Sequence, residues 1–277
     1  MKQIASGLRS APPQSTTQGR VAGAAPRIRA VPAITRTLAI LRLLGRSRAP
    51  LGVKAIALAL ELVPSTCLHI LRALVSEQLV KVDPSTKHYS LGIGMLPLAR
   101  AVLERSGFSS LAQSELDRLS GRYGVTAIGL EIIGLEHMIV VALSRAQAPV
   151  RLHVDVGSRF PALISATGRC VAAFGEHAWS EVEKRFRSLH WQNAPKYEAW
   201  RKDIESVRRK GYSIDRGNYI NGVVIVAVPV PTTHRTLSHC IAAVGLVDQL
   251  DHATAVSLAQ DMRTAAETVA SQTVSRS

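Results

Sequence analysis

The segment VPSTCLHILRAL, residues 63–74, carries two hydroxyls, an imidazole and a guanidinium at Ser65, Thr66, His69 and Arg72. On a helix these side chains project to one side, while Cys67, Ile70, Leu71 and Leu74 form an apolar stripe on another. Pro64 suits the first turn of such a helix. The chemistry available to the polar side is donation: hydroxyl, ring and guanidinium donors beside a helix N-terminus, which itself favours an anion. Phosphate oxygens and base edges are acceptors of the matching kind. Ser65 has a second reading, as a simple helix N-cap.

Covalent catalysis finds no such support. The chain has no G-x-S-x-G elbow, no P-loop and no paired-histidine zinc motif, so no catalytic residue is assigned. The stretch HRTLSHC brings His234, His239 and Cys240 near one another, but after PVPTT it reads as a hairpin rather than a zinc site. Three cysteines, Cys67, Cys170 and Cys240, are odd in number and far apart. They fit neither a disulfide framework nor a CxxC site, which points to a reducing cytoplasm, with no metal and no cofactor expected.

The chain can build a real core: 47% of the 277 residues are hydrophobic. Aromatics are only 4%, too few for a base-stacking platform. No apolar run approaches the roughly 18 residues of a membrane span, so no membrane partner is expected. The net charge of +14 is concentrated at the front. Residues 1–30 hold Lys2, Arg9, Arg20, Arg27 and Arg29 without an acid, and residues 31–105 add more bases than acids. A local basic surface is the footprint of a polyanion binder, or simply a solubilising surface.

Residues 1–30, rich in Gly, Pro, Ser and Gln, read as a disordered basic tail. Arginines without acids also occur in organelle transit peptides, but no amphipathic helix is visible here. From residue 33 the pattern changes. Ile34, Leu38, Leu41 and Leu44 mark an amphipathic helix closed by Gly45; VKAIALAL (53–60) gives a second, and Pro64 opens a third. Two short strands, 79–82 and 88–91, flank a DPSTK turn. Three helices and a hairpin lay out a winged helix-turn-helix over residues 31–92. Arg36, Lys81, Lys87 and His88 then become candidates for backbone contact from the first helix and the wing.

IGMLPLARAVLERS supplies a linker helix over 93–106, apolar on more than one side, whose cover is either another subunit or its own chain. Beyond it, residues 107–277 form a larger unit. A helix is expected near 108–122, then strands in VTAIGLEII, MIVVALS and VRLHVDV. Helices follow in SATGRCVAAF, HAWSEVEKRFRSL and YEAWRKDIESVRRKG, then strands in VVIVAVPV and HCIAAVGLV, and a final helix near 250–271. Strands on both sides of a helical block predict an α+β domain with a mainly antiparallel sheet.

At this point the sequence resembles the isocitrate-lyase-regulator (IclR) family of bacterial transcription factors over about residues 33–272. The resemblance rests on ITRTLAILRLL, LVPSTCLHILRALVSEQLV and HYSLG in front. Behind, it rests on VGSRFPALISATGRCVAAF, KGYSIDRGNYINGVVIVAVPV and CIAAVGLV. The chain departs from the family pattern at Glu61, where a Gly is usual, at Val63 and Pro64, where a Pro-Lys pair is usual, and at His69, commonly a basic position.

The resemblance implies a GAF-like effector-binding rear domain, a homodimer or dimer of dimers, double-stranded operator DNA as partner and a small organic acid as effector. It implies control of a catabolic operon, more often by repression than activation. Carried over residue by residue, the effector site comprises Leu152, Val154, Ala166, Thr167, Gly168, Asp215, Ile225, Ala242 and Val244. In members that bind very small acids several of the last positions are Cys or Ser. Here Ile225, Ala242 and Val244 leave few polar partners for oxygens, which predicts a larger or less polar ligand than glyoxylate, such as an aromatic acid. Thr167, Gly168 and the helix start remain able to hold one carboxylate. The competing readings are that these apolar residues are ordinary core, and that the protein is a sensing or interaction module that no longer binds DNA.

Overall fold

The computed structural model describes residues 31–145, 154–231 and 236–274, in two compact units that part between Met95 and Leu96. The tail at 1–30, Leu152 and the first part of the expected strand at 150–156 lie outside the described residues. The rest of that strand, from Val154 to Val156, is not extended into a ladder.

The front unit runs α1 (Pro32–Arg46), β1 (Leu51–Gly52), α2 (Val53–Ala59), α3 (Pro64–Ser76), β2 (Val80–Val82) and β3 (His88–Leu91). Its antiparallel strands are ordered β1-β3-β2. The two residues of β1 are too few to show a period in sequence. Ile40, Leu44, Ile56, Cys67, Leu71, Leu74, Val80 and Tyr89 form the core. The expected stripe of α1 is only partly buried: Leu44 is inside, but Ile34 is 59% and Leu38 43% exposed, because the core meets only the last turns of the helix.

Between α2 and α3 the chain turns by 113° within residues 60–63, the geometry of a helix-turn-helix. The turn is built by a Schellman cap. The Leu62 N–H donates to the Ala57 carbonyl at 2.8 Å and the Glu61 N–H to that of Leu58 at 3.3 Å. The motif forces Glu61 into the left-handed region, φ 53°, where glycine is the usual residue. The same cap closes α3, with Gln78 at φ 58°. Gly92 then lies so close to the Gln78 carbonyl that a Cβ would stand 2.1 Å from its oxygen.

The second unit takes in most of α4 (Met95–Ser106), followed by α5 (Phe108–Tyr123), β4 (Thr126–Ile133), β5 (His137–Leu143) and β6 (Arg159–Pro161). Then come α6 (Ser165–Phe174), α7 (Trp179–Arg187), α8 (Tyr197–Lys210), β7 (Ser213–Arg216), β8 (Val223–Pro229), β9 (His239–Leu246) and α9 (His252–Val274). The six strands form one antiparallel sheet, ordered β6-β5-β4-β9-β8-β7, so the fold is α+β as expected. The edge strands β6 and β7 go beyond the expected set: one is three residues long, and the other reads as polar.

Both faces of the sheet are covered. Ile128, Leu130, Val223, Ile225, Cys240, Ala242 and Val244 face α6, α7 and α8. Ala127, Val224, Val226, Val228, Ile241 and Ala243 face α5 and α9. Alternation therefore continues in three dimensions where the sequence shows a nearly unbroken apolar run.

This packing has two consequences for stability. Glu61→Gly relieves the left-handed strain and should raise stability by roughly 0.5–1 kcal/mol, read as a higher urea midpoint; a lower midpoint would contradict the cap. His239 on β9 stacks on Phe108, ring centroids 4.3 Å apart, and burial pushes its pKa down to about 4. The folded ring stays neutral where the unfolded one, near pH 6.5, already binds a proton. Stability from this site is complete above pH 6.5 and is lost as pH falls toward 4, by up to roughly 3 kcal/mol. His239→Gln should flatten that slope in urea titrations at pH 7 and pH 4.5, and an unchanged slope would refute the assignment.

Candidate functional site

Two regions collect the chemistry, one in each unit. On α3, Cys67 and Leu71 are fully buried and Leu74 nearly so, while Ile70, at the edge of the stripe, is half-buried and packs against the same core. Ser65 and Arg72 are exposed, and Thr66 and His69 are reachable from the same outer side. The helix is not capped by a side chain: its N-cap is Val63, in extended backbone, so Ser65 sits inside the first turn and its hydroxyl is not engaged in capping. The first intrahelical bond runs from the Cys67 N–H to the Val63 carbonyl at 3.0 Å, leaving the Ser65 and Thr66 N–H groups ahead of it. Together with an absence of acids along α3, this end of the helix is suited to an anion.

The remaining front-unit candidates are exposed too: Arg36 on α1, Lys81 on β2, Lys87 in the turn and His88 on β3. That turn is held by Asp83, whose carboxylate accepts from the Ser85 N–H at 2.8 Å and the Thr86 N–H at 3.0 Å. These bonds and the Ser85 hydroxyl hold the Asp83 pKa at about 2. Lys87, at φ 57°, turns the chain back into β3.

In the second unit a cavity of about 150 Å³ lies between the sheet and α6. Its floor is Ile128, Leu130, Met138, Ile225, Ala242 and Val244, with Ile128 paired opposite Ala242 and Ile225 opposite Val244. Val154, Phe160 and Ile220 are half-buried around it. Its polar groups are few: Ser165 and Thr167 at the start of α6, and Tyr219, whose hydroxyl burial pushes up in pKa. The first bond within α6 is Gly168 N–H to the Ile164 carbonyl at 2.8 Å, so the N–H groups of residues 165–167 precede it at the cavity wall. Ser165 is held at φ 58°, a left-handed conformation costing on the order of 1–3 kcal/mol and found preferentially at ligand-binding sites.

Of the residues assigned from sequence, Val154, Thr167, Ile225, Ala242 and Val244 line this cavity, and Leu152 is outside the described residues. Ala166, Gly168 and Asp215 do not line it. Ala166 packs into the core. Gly168 lets α6 lie on the backbone of Leu163, where a Cβ would come within 2.0 Å of the carbonyl. Asp215 is turned under the helix, 1% exposed. It accepts from the Tyr219 N–H at 3.1 Å and stands 3.8 Å from the Arg169 guanidinium. Arg169, only 4% exposed, also reaches the Ser165 carbonyl at 3.4 Å and the Asn218 side-chain oxygen at 3.3 Å. Burial raises the Asp215 pKa, and the Arg169 charge and two backbone N–H groups oppose that rise. Asp215 therefore positions the Tyr219 loop from behind.

Sequence reading misses Ile128, Leu130, Met138, Phe160, Ile164, Ser165, Tyr219 and Ile220. The strand residues among them are detectable by parity, since Ile128 and Leu130 share a face and pair with β9. Tyr219 and Ile220 lie in a loop, where no period speaks.

Comparison with known proteins identifies the family to which both units belong. The family model for the IclR helix-turn-helix domain matches residues 33–84, and that for the bacterial transcriptional regulator IclR C-terminal domain matches residues 100–271. A glycerol operon regulatory protein of Streptomyces griseus is 28% identical over 87% of this chain and 96% of its own length. The probable transcriptional regulator SauR of Cupriavidus necator is 27% identical over 77% of this chain and 84% of its own length. The crystal structure of an IclR transcriptional regulator from Alicyclobacillus acidocaldarius superposes with a TM-score of 0.77 at 25% identity, over 88% of this chain and 99% of that one. An IclR homologue from Microbacterium hydrocarbonoxydans, solved with 4-hydroxybenzoate, shares the fold with a TM-score of 0.74 at 17% identity, over 88% of this chain and 99% of that one. The matched families and relatives are transcriptional regulators, not enzymes.

The buried pair beneath α6 is open to a direct test. Asp215→Asn keeps an acceptor for Tyr219 but strands the Arg169 charge, and should destabilise the fold by roughly 3 kcal/mol. The double variant Asp215→Asn with Arg169→Met should recover part of that loss. A double variant less stable than Asp215→Asn in urea unfolding would show that the two groups are not coupled through charge.

Proposed function

The chain belongs to the IclR family of bacterial transcriptional regulators, and we propose that it is a homodimeric, ligand-responsive repressor of a catabolic operon that senses a small aromatic acid. The observation that carries the DNA-reading part is α3 itself: Ser65, His69 and Arg72 face outward over buried Cys67 and Leu71, at a helix start that no side chain caps. In this reading α3 enters the major groove with its first turns against base edges, and Arg36, Lys81, Lys87 and His88 meet phosphates.

The effector reading rests on the first cavity. Its volume of about 150 Å³ is of the order that accepts a single aromatic ring, and its floor is hydrocarbon. The ring would lie on Ile128, Ile225 and Val244, with its carboxylate at Ser165 and Thr167, where hydroxyls and the α6 N–H groups converge. The 4-hydroxybenzoate held by the Microbacterium homologue is a ligand of this class, and AllR of Escherichia coli, 24% identical over 70% of this chain, is named a repressor.

A second copy of the chain would cover apolar side chains left in solvent, among them Ile34 and Leu38 on α1 and Leu96, Leu98 and Val102 on α4. Two recognition helices related by a two-fold axis call for a near-palindromic operator, with half-sites one helical turn apart or a multiple of it. Effector binding acts by linkage, favouring one arrangement of the rear domains and so biasing the spacing of the two helices.

Fluorescence anisotropy against the DNA upstream of the protein's own gene, at two salt concentrations, tests the reading. Binding should be site-selective and fall steeply with salt. Arg72→Ala should reduce the steepness of log K against log salt by about 1 for each phosphate that the guanidinium neutralises. Addition of 4-hydroxybenzoate should weaken the complex, and Ala242→Phe, which fills the cavity, should abolish that response while leaving DNA binding intact. Absence of binding at both salt concentrations would refute the regulator.

A further inference from the structure

A second cavity, of about 210 Å³, opens at the β7 edge of the sheet, walled by α6, α8 and α9. It has no lining residue in common with the first. Its polar wall comprises Arg169, Asp203, Ser206, Lys210, Ser213 and His252. Arg169 and Ser213 are 4% and 3% exposed, yet Arg169 Nε and Ser213 Oγ have no hydrogen-bond partner among the described residues. Buried donors are normally paired, and two unpaired ones on the wall of a single cavity require an explanation.

The neighbours of Arg169 do not supply it. The carboxylates of Asp203 and Asp215 stand 3.7 and 3.8 Å from its guanidinium, beyond hydrogen-bond reach. The guanidinium bonds that do form use Nη1 and Nη2, at 3.4 and 3.3 Å, and point away toward Ser165 and Asn218. Lys210 and His252 add further nitrogen groups, and Ser206 adds a hydroxyl. The one carboxylate in the lining, Asp203, is 60% exposed at its side chain. Asp215 Oδ1, an acceptor, is also buried without a partner beside Arg169, but it does not line this cavity. Within the lining the buried groups without partners are the donors Arg169 Nε and Ser213 Oγ, and an acceptor placed in the cavity would pair with both.

We propose that this cavity is a second ligand site, for a small oxyanion of the carboxylate or phosphate type, held by Arg169 Nε and Ser213 Oγ with Lys210 above them. A charge-assisted bond to a buried oxyanion satisfies both donors at once. The site is not remote from the first cavity: Arg169 lies between the two, through its contacts with Ser165, which lines the first cavity, and with Asn218, which precedes Tyr219.

Isothermal titration of the full-length protein with inorganic phosphate and, separately, with acetate tests this, with chloride at matched ionic strength as control. Ser213→Ala removes a buried hydroxyl that has no partner, so the variant should fold at least as well as the parent. One of the two oxyanions should bind saturably, one per chain, and about tenfold more weakly to Ser213→Ala. Which one binds distinguishes a phosphate from a carboxylate site. Lys210→Gln, at an exposed position, should weaken it likewise and serves where Ser213→Ala does not fold. Absence of binding above chloride for both oxyanions, or binding unchanged in the folded variants, overturns the proposal.

Discussion

The second unit depends on how it accommodates one cation. Arg169 projects from a helix whose residues 165–173 are all buried, and a guanidinium in such a place must be compensated. Compensation comes from both ends of the neighbouring chain: Asp215 on β7 below, Asn218 in the following loop, and Asp203 on α8 at the rim. These contacts tie α6 to the edge of the sheet and fix the loop carrying Tyr219 and Ile220. The first cavity is the space left between that anchored helix and the sheet, so its polar end is placed by a residue that does not touch it.

The front unit solves the opposite problem, exposing polar groups on a helix that must still be anchored. Only one side of α3 is committed to the core, through Cys67, Leu71 and Leu74. Its flanking turns are tight because α2 and α3 both end in Schellman caps, and both caps accept a non-glycine residue at the left-handed position. The strain at Glu61 and Gln78 is small beside the burial it permits, since placing a Leu side chain in the core contributes roughly 1.5–3 kcal/mol. A family-typical glycine is therefore dispensable at Glu61, and the helix-turn-helix geometry survives its absence.

Legibility in the sequence follows the strength of the local period. The helices and the four long strands are visible because their apolar residues recur over seven or more positions. The edge strands are not: β6 has three residues, and β7 buries Ser213 and Asp215 while leaving Ile214 less buried, which inverts the hydrophobic code. In α1 the period is legible but its burial is not, because sequence does not say how far along a helix the core extends. The same limit applies to the site. Ala242 and Val244 can be placed from strand parity and resemblance, whereas Asp215, polar and in a signature segment, reads as ligand-facing. Its burial under α6 follows from the need of Arg169 for a counter-charge, a tertiary demand without local trace.

The origin of the first cavity is a matter of side-chain size rather than backbone. Ala242 stands between Ala227 on β8 and Ile128 on β4, so two short residues lie side by side in the middle of the sheet, and Ala242 is the short one in the cavity floor among Ile128, Leu130, Met138, Ile225 and Val244. Gly168 lets the start of α6 pack closely on the backbone of Leu163, just ahead of the helix. A void of this kind persists because its walls are held elsewhere, and its shape is set by Ile128, Ile225, Ala242 and Val244. Exchanging those side chains alters what fits without disturbing the ladder, since every backbone bond of the floor is made between strands. One fold can then serve ligands of different size and polarity, with α6 presenting the same polar end to each.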